Sequence, residues 1–160
     1  MYFFTSDQHF GHENIIRFCN RPFSNALEMD EEIIKRFNEV VKKGDICIHA
    51  GDFAFRNKIP AGQYIDRLNG LNLFVKGSHD KWLKNGTYMV EVIVNKQPIV
   101  VCHYAMLTWP RSHYGSWQLF GHSHGKLPLE KYNKDKQYDI GVDSNNFYPV
   151  SMDTLMGILK

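Results

Sequence analysis

Asp7 and His9 stand two residues apart just after an apolar run at the N-terminus. His122 and His124 repeat that spacing about three-quarters of the way along, within Gly121-His122-Ser123-His124. Between the two pairs lie Gly51-Asp52, Gly77-Ser78-His79-Asp80 and a lone His103. Carboxylates and imidazoles are ligands of divalent transition ions. Two such ions held close together need an anion between them, and a carboxylate at a strand end, such as Asp52, can serve. Two ligand carboxylates against two dications leave a surplus of roughly two positive charges, which attracts phosphate and stabilises the charge of an in-line displacement. The chemistry on offer is metal-assisted hydrolysis of a phosphate ester.

Each motif alone has a plainer reading. An Asp-x-His is common, Gly-Asp after a strand is usually a turn, and a lone histidine such as His103 is more often a satisfied core or surface residue. Gly-His-Ser-His is more informative, because a packed core has no use for two imidazoles flanking a serine. The joint occurrence, in this order, carries the argument.

The elements that must position these residues follow from patterning. Tyr2-Phe3-Phe4-Thr5 reads as a strand that delivers Asp7 and His9 to the next loop. Asn14 to Phe18 reads as a helical turn. Met29, Ile33, Ile34, Phe37, Val40 and Val41 recur at helical spacing, so an amphipathic helix is expected from Leu27 to Lys43, with Gly44 as its C-terminal cap. Asp45 to Ala50 reads as a second strand running into Gly51-Asp52. Pro60 opens a helix to Leu68, and Leu71 to Lys76 is a third strand running into Gly77-Asp80. Tyr88–Val94 and Gln97–Cys102 form a hairpin about Asn95-Lys96. Further strand is expected at Phe120, Tyr138–Ile140 and Val142, and Ser151–Lys160 fits either a helix or a strand. Three times a strand ends in a loop bearing Asp or His, and in open α/β sheets ligands gather beyond the carboxyl ends of strands.

A chain of 160 residues is expected to form one domain spanning 1–160. A formal net charge of +2 gives little support to a nucleic-acid binder. Cys19, Cys47 and Cys102 are odd in number and far apart, which points to buried reduced thiols rather than a disulfide scaffold and fits a reducing cytoplasm. No apolar run approaches the roughly 20 residues needed to span a bilayer, so no membrane partner is expected.

Taken together, the five motifs resemble those of the calcineurin-like metallophosphoesterase superfamily, D-x-H, G-D, G-N-H-[DE], H and G-H-x-H. Here they read DQH, GD, GSHD, His103 and GHSH. The opening FTSDQHFGHENII is similar to a small, cap-less bacterial and phage branch. The resemblance implies an α/β fold, a four-layer α/β/β/α sandwich with two mixed sheets. It implies two divalent ions, manganese, iron, nickel or zinc. Asp7, His9 and His124 would hold one, His103 and His122 the other, and Asp52 would bridge. It implies a metal-bridged hydroxide attacking a phosphodiester or phosphomonoester in line, with a small phosphorylated partner of nucleotide type. His79 would be the general acid or a phosphate donor, with Asp80 orienting its ring.

Ser78 departs from the superfamily, which usually has an Asn there as a ligand of the second metal. A serine hydroxyl is a poorer neutral ligand, binding weakly or through water. That one residue favours a rival reading, a catalytically weakened metal-binding or protein-binding module on the same fold. His12, Arg17 and Arg21 are candidate substrate contacts, with surface or helix-start roles as alternatives. His49, inside an apolar strand, reads as structural. Trp109, Arg111, His113 and Tyr114 read as a stacking platform for a base, with Trp109 simply covering the core as the alternative. Asp143 reads as a turn residue.

Overall fold

The computed structural model describes residues 1–55 and 59–160. Its strands are β1 (Tyr2–Thr5), β2 (Ile46–His49), β3 (Leu71–Phe74), β4 (Met89–Val94), β5 (Gln97–Cys102), β6 (Trp117–Phe120), β7 (Gln137–Asp139) and β8 (Val150–Ser151). Its α-helices are α1 (Glu13–Phe18), α2 (Ala26–Val40), α3 (Ala61–Ile65) and α4 (Met152–Ile158). The strands form two four-stranded sheets, ordered β3-β2-β1-β8 and β4-β5-β6-β7. Both are mixed: β1, β2 and β3 run parallel with β8 antiparallel, and β5, β6 and β7 run parallel with β4 antiparallel. The expected α/β architecture with two mixed sheets is the one observed.

Period-two alternation splits the core into two layers. Phe3 pairs with Cys47 and Phe4 with Ile48. Phe3 and Cys47 face the helices, where they pack with Met29, Ile33, Phe37 and Tyr64. Phe4 and Ile48 face the other sheet, meeting Ile99, Val101, Trp117, Leu119 and Leu155 of α4. The outer face of the second sheet carries Gln118 and Gln137, whose amides donate to the carbonyls of Tyr104 and Met106 and pin the 104–116 loop there.

The turns follow from local chemistry. Asn25 caps α2 by accepting from the Glu28 N–H at 2.9 Å. The helix ends at Val40, short of the expected Lys43, because Val41 turns extended and becomes fully buried. Gly44 is therefore not its cap. Lys42 folds back instead, its Nζ donating to the carbonyls of Asn38 and Glu39. The β4–β5 hairpin has both turn residues, Asn95 and Lys96, at positive φ, as a two-residue turn matching strand twist requires. Ser151–Lys160 contributes both kinds of element: Val150–Ser151 adds a strand, and Ser151 then caps α4 through the Thr154 N–H.

Candidate metal centre

The sheets set their parallel strands so that five loops emerge at one end. Beyond β1 come Asp7 and His9, beyond β2 Asp52, beyond β3 Ser78 to Asp80, beyond β5 His103, and beyond β6 His122 and His124. Bridges between the loops hold them in register. The N–H groups of Asp7 and His9 donate to the carbonyls of Gly51 and Asp52, both at 3.0 Å. The Gly121 N–H donates to the carbonyl of His103 at 3.1 Å. Two glycines are required by close approach. A side chain on Gly121 would strike the Asp7 carboxylate, and one on Gly77 would strike Asp52.

These loops bring the six expected ligands together as two groups. Ligand atoms of Asp7, His9 and His124 all lie within 4.8 Å of one another, and so do those of Asp52, His103 and His122. Asp52 joins the groups, its Oδ2 lying 3.6 Å from His9 Nε2 and 3.2 Å from His103 Nε2. A carboxylate placed between one imidazole of each group has the position a bridging ligand needs.

The donor set fits divalent cations. Asp7 Oδ1 and His9 Nε2 are buried without a hydrogen-bond partner. A buried polar atom left unmatched costs free energy, and a cation would satisfy both. Nitrogens also face one another: His122 Nδ1 lies 3.3 Å from His103 Nε2. His103 Nδ1 donates to the Ala50 carbonyl at 2.9 Å, which turns its Nε2 toward Asp52 and His122.

Electrostatics separates the two carboxylates. Burial pushes Asp7 up to about 6, and the charges of His103 and His124 only partly offset it. Burial works the same way on Asp52, but a hydrogen bond to His103, the charge on that ring and the His79 N–H outweigh it and hold Asp52 well below the usual carboxylate range. Burial alone would lower His103, yet Asp52 and Asp7 raise it. His9, His12 and His122 are lowered chiefly by burial; neighbouring imidazoles add to this at His12 and His122, whereas the Asp52 charge partly offsets it at His9.

The backbone is strained where the ligands sit. Asp7, His9, Asp52, His122 and His124 all have positive φ, between 49° and 67°. For residues with a Cβ this region costs on the order of 1–2 kcal/mol each. Nothing in residue type marks this strain in the sequence.

Two other candidates, Asp80 and Arg21, have roles unlike those expected. Asp80 does not orient the His79 ring. Its carboxylate accepts from the N–H groups of Asp52, Phe53 and Gly77 and from Trp82 Nε1, at 2.7–2.9 Å. These donors fill its capacity and fix the Asp52 turn. Arg21 does not face substrate. It is 5% exposed, and its N–H groups go to the Asp7 and Gln8 carbonyls, Met29 Sδ and both oxygens of Asp143. Arg17 has the surface position given as its alternative: it is exposed and donates to Asn14 Oδ1.

His79 sits at the mouth of the site, its side chain 42% exposed and Nε2 3.9 Å from Asp52 Oδ2. Ser78 Oγ donates to Asp52 Oδ2 at 3.2 Å, so it touches the joining carboxylate. A cavity of about 540 Å³ opens there, and its lining includes His9, His12, Asp52, His79, His122 and His124. Ile15, Phe18, Phe55 and Lys126 also line it. Phe18 is 63% exposed, and Lys126 Nζ donates to its carbonyl across 108 residues of sequence. His12 stacks on Phe55 with ring centroids 3.9 Å apart.

The Trp109–Tyr114 segment is away from this cavity. Trp109 is buried and donates to the Ser116 carbonyl, covering the core as in the second of the two expected readings. His49 is structural. It is fully buried between Gln8 Nε2 and Asn72 Oδ1, and burial pushes it down to about 4. All three cysteines are free, and Cys47 and Cys102 are buried. Among the described residues no helix is long and apolar enough to cross a membrane.

No family model matches the chain. Over 164 residues it is 34% identical to the uncharacterized protein MJ1445 of Methanocaldococcus jannaschii, covering 99% of this chain and 90% of that protein. Among solved structures it is similar to the protein of unknown function AQ665 from Aquifex aeolicus, with a TM-score of 0.77 at 22% identity over 99% of each chain. A more distant likeness, with a TM-score of 0.48 at 14% identity, is to Vps29 from Entamoeba histolytica crystallised with zinc, over 77% of this chain and 64% of that one.

Proposed function

We propose that this chain, which belongs to one family with MJ1445 of Methanocaldococcus jannaschii, is a dinuclear metal-dependent phosphoesterase. The observation that carries the reading is the position of Asp52 Oδ2 between His9 of one ligand group and His103 of the other. Asp7, His9 and His124 would hold one divalent cation and His103 and His122 a second, with Asp52 shared. When bound, such ions supply the Lewis acidity that polarises a phosphate ester and acidifies a water.

The chain's own residues do the rest. Asp80 and the Ser78 and His79 donors keep Asp52 turned into the site. His79, exposed at the mouth, is placed to give a proton to the departing oxygen. Ile15, Phe18 and Phe55 in the cavity lining suit the organic group of an ester, and Lys126 adds a cation to it. The substrate is a small phosphodiester or phosphomonoester of nucleotide type, with the base on the aromatic wall.

The direct test is to strip the protein with chelator and assay bis(p-nitrophenyl) phosphate and p-nitrophenyl phosphate with manganese, iron, nickel and zinc. Hydrolysis restored by at least one metal is expected. No turnover on either ester with any metal, from protein that binds the ion, would instead support the weakened-module reading that Ser78 favours. In that case Ser78→Asn should tighten metal binding or raise turnover.

A further inference from the structure

Asp143 lies in a tight 3-10 turn (Val142–Ser144) placed beside β1, where the Val142 N–H donates to the Ser6 carbonyl at 3.0 Å. Its Oδ2 is 2.7 Å from His124 Nδ1. Both of its oxygens are also held by Arg21, Nε to Oδ1 and Nη2 to Oδ2, each at 2.8 Å. The same guanidinium donates to the Asp7 carbonyl at 2.7 Å and the Gln8 carbonyl at 2.9 Å. One buried arginine thus ties the first ligand loop to the carboxylate that touches the last ligand.

We infer that Asp143 and Arg21 are positioning residues that fix which nitrogen of His124 faces Asp7 and His9. A carboxylate doubly bound by arginine is an acceptor only, so the proton between Asp143 and His124 sits on Nδ1. A neutral imidazole with its proton on Nδ1 has its lone pair on Nε2, the nitrogen left for the ligand group. Outer partners of this kind set ligand orientation and basicity, and their loss typically weakens metal binding about 10- to 100-fold. Cys19 also lies within 4.8 Å of His124 and Asp143, which would allow a separate sulfur-containing cation site. Arg21 argues against that, because its guanidinium occupies both Asp143 oxygens.

The inference rests on the metal-binding reading above, but its first test does not need a metal. In chelator-treated, ¹⁵N-histidine-labelled protein at pH 8, two-bond ¹H–¹⁵N spectra report the His124 tautomer. The Nδ1–H form is expected in the wild type, and an Nε2–H form there would overturn the inference outright. In Asp143→Asn the amide must turn its oxygen to Arg21 and its NH₂ to His124, so a shift to the Nε2–H form is expected. Manganese affinity at the Asp7 group should fall about 10- to 100-fold with the other group unaffected. Unchanged spectra and unchanged affinity in a folded Asp143→Asn variant would refute it. So would an equal loss of affinity in Cys19→Ser, which would make Asp143 part of a sulfur-containing site. If the wild type has the Nδ1–H form yet binds no manganese, the phosphoesterase reading fails and the tautomer assignment stands.

Discussion

Replacing Asp7 by asparagine should make the metal-free protein more stable at neutral pH while removing its capacity to hold a cation at that group. Asp7 is completely buried, and burial pushes its carboxyl up to about 6 from an ordinary 3.8. The folded pKa is the higher one, so between these values the folded protein binds the extra proton. Stability then falls as pH rises through that window, and above about pH 6 the whole cost is in place. A shift of about two units corresponds to about 3 kcal/mol. Asparagine keeps an oxygen for the His122 N–H, which Asp7 Oδ2 accepts at 2.9 Å. Its NH₂ group takes the position of Oδ1, which has no partner, and that unmatched donor costs about 1 kcal/mol or more. A net gain of about 1–2 kcal/mol remains, or roughly 2–8 °C in Tm for a chain of this size. Urea unfolding in chelator at pH 8 reads it, and below about pH 4 the gain should vanish. A variant less stable than the wild type at pH 8 in chelator would refute the reasoning, because burial of that charge would then not be a cost.

Three further expectations use the same site. Asp52→Asn removes the shared charge, and hydrolysis should fall by more than about 100-fold; near-normal rates would put the bridge elsewhere. His79→Ala should slow esters with poor leaving groups more than p-nitrophenyl esters, since protonation matters most for the former; equal losses would mean that His79 binds phosphate. His122 has φ 67°, so in chelator His122→Gly should be about 1 kcal/mol more stable than His122→Ala, by relief of left-handed strain. Urea midpoints of the two variants decide this, and a more stable alanine variant would count against strain at that position.

The sequence was most informative where chemistry and punctuation coincide. Asp7, Asp52 and His122 each lie just beyond an apolar strand, the last two after a glycine, so their residue types and places could be read together. His103 also follows a strand but has no glycine or second ligand beside it, and only the order of the other motifs singled it out. The roles of Asp143 and Arg21 were hidden for a different reason. They are 122 residues apart, and neither the turn at Asp143 nor the loop at Arg21 says that β1 brings them side by side. Asp80 was read as a partner of its neighbour His79, whereas the fold spends it on backbone N–H groups of the Asp52 turn. The end of α2 was misplaced because Lys42 does the work assigned to Gly44. Positive φ at five ligands is a product of the packed loops, and ordinary Asp and His residues give no sign of it.

Anomalous scattering from crystals soaked in manganese addresses the central claim most directly. Two peaks are predicted, one in contact with Asp7, His9 and His124, the other with His103 and His122, and Asp52 touching both. No peak at these side chains, or a pair of peaks without Asp52 between them, would contradict the account.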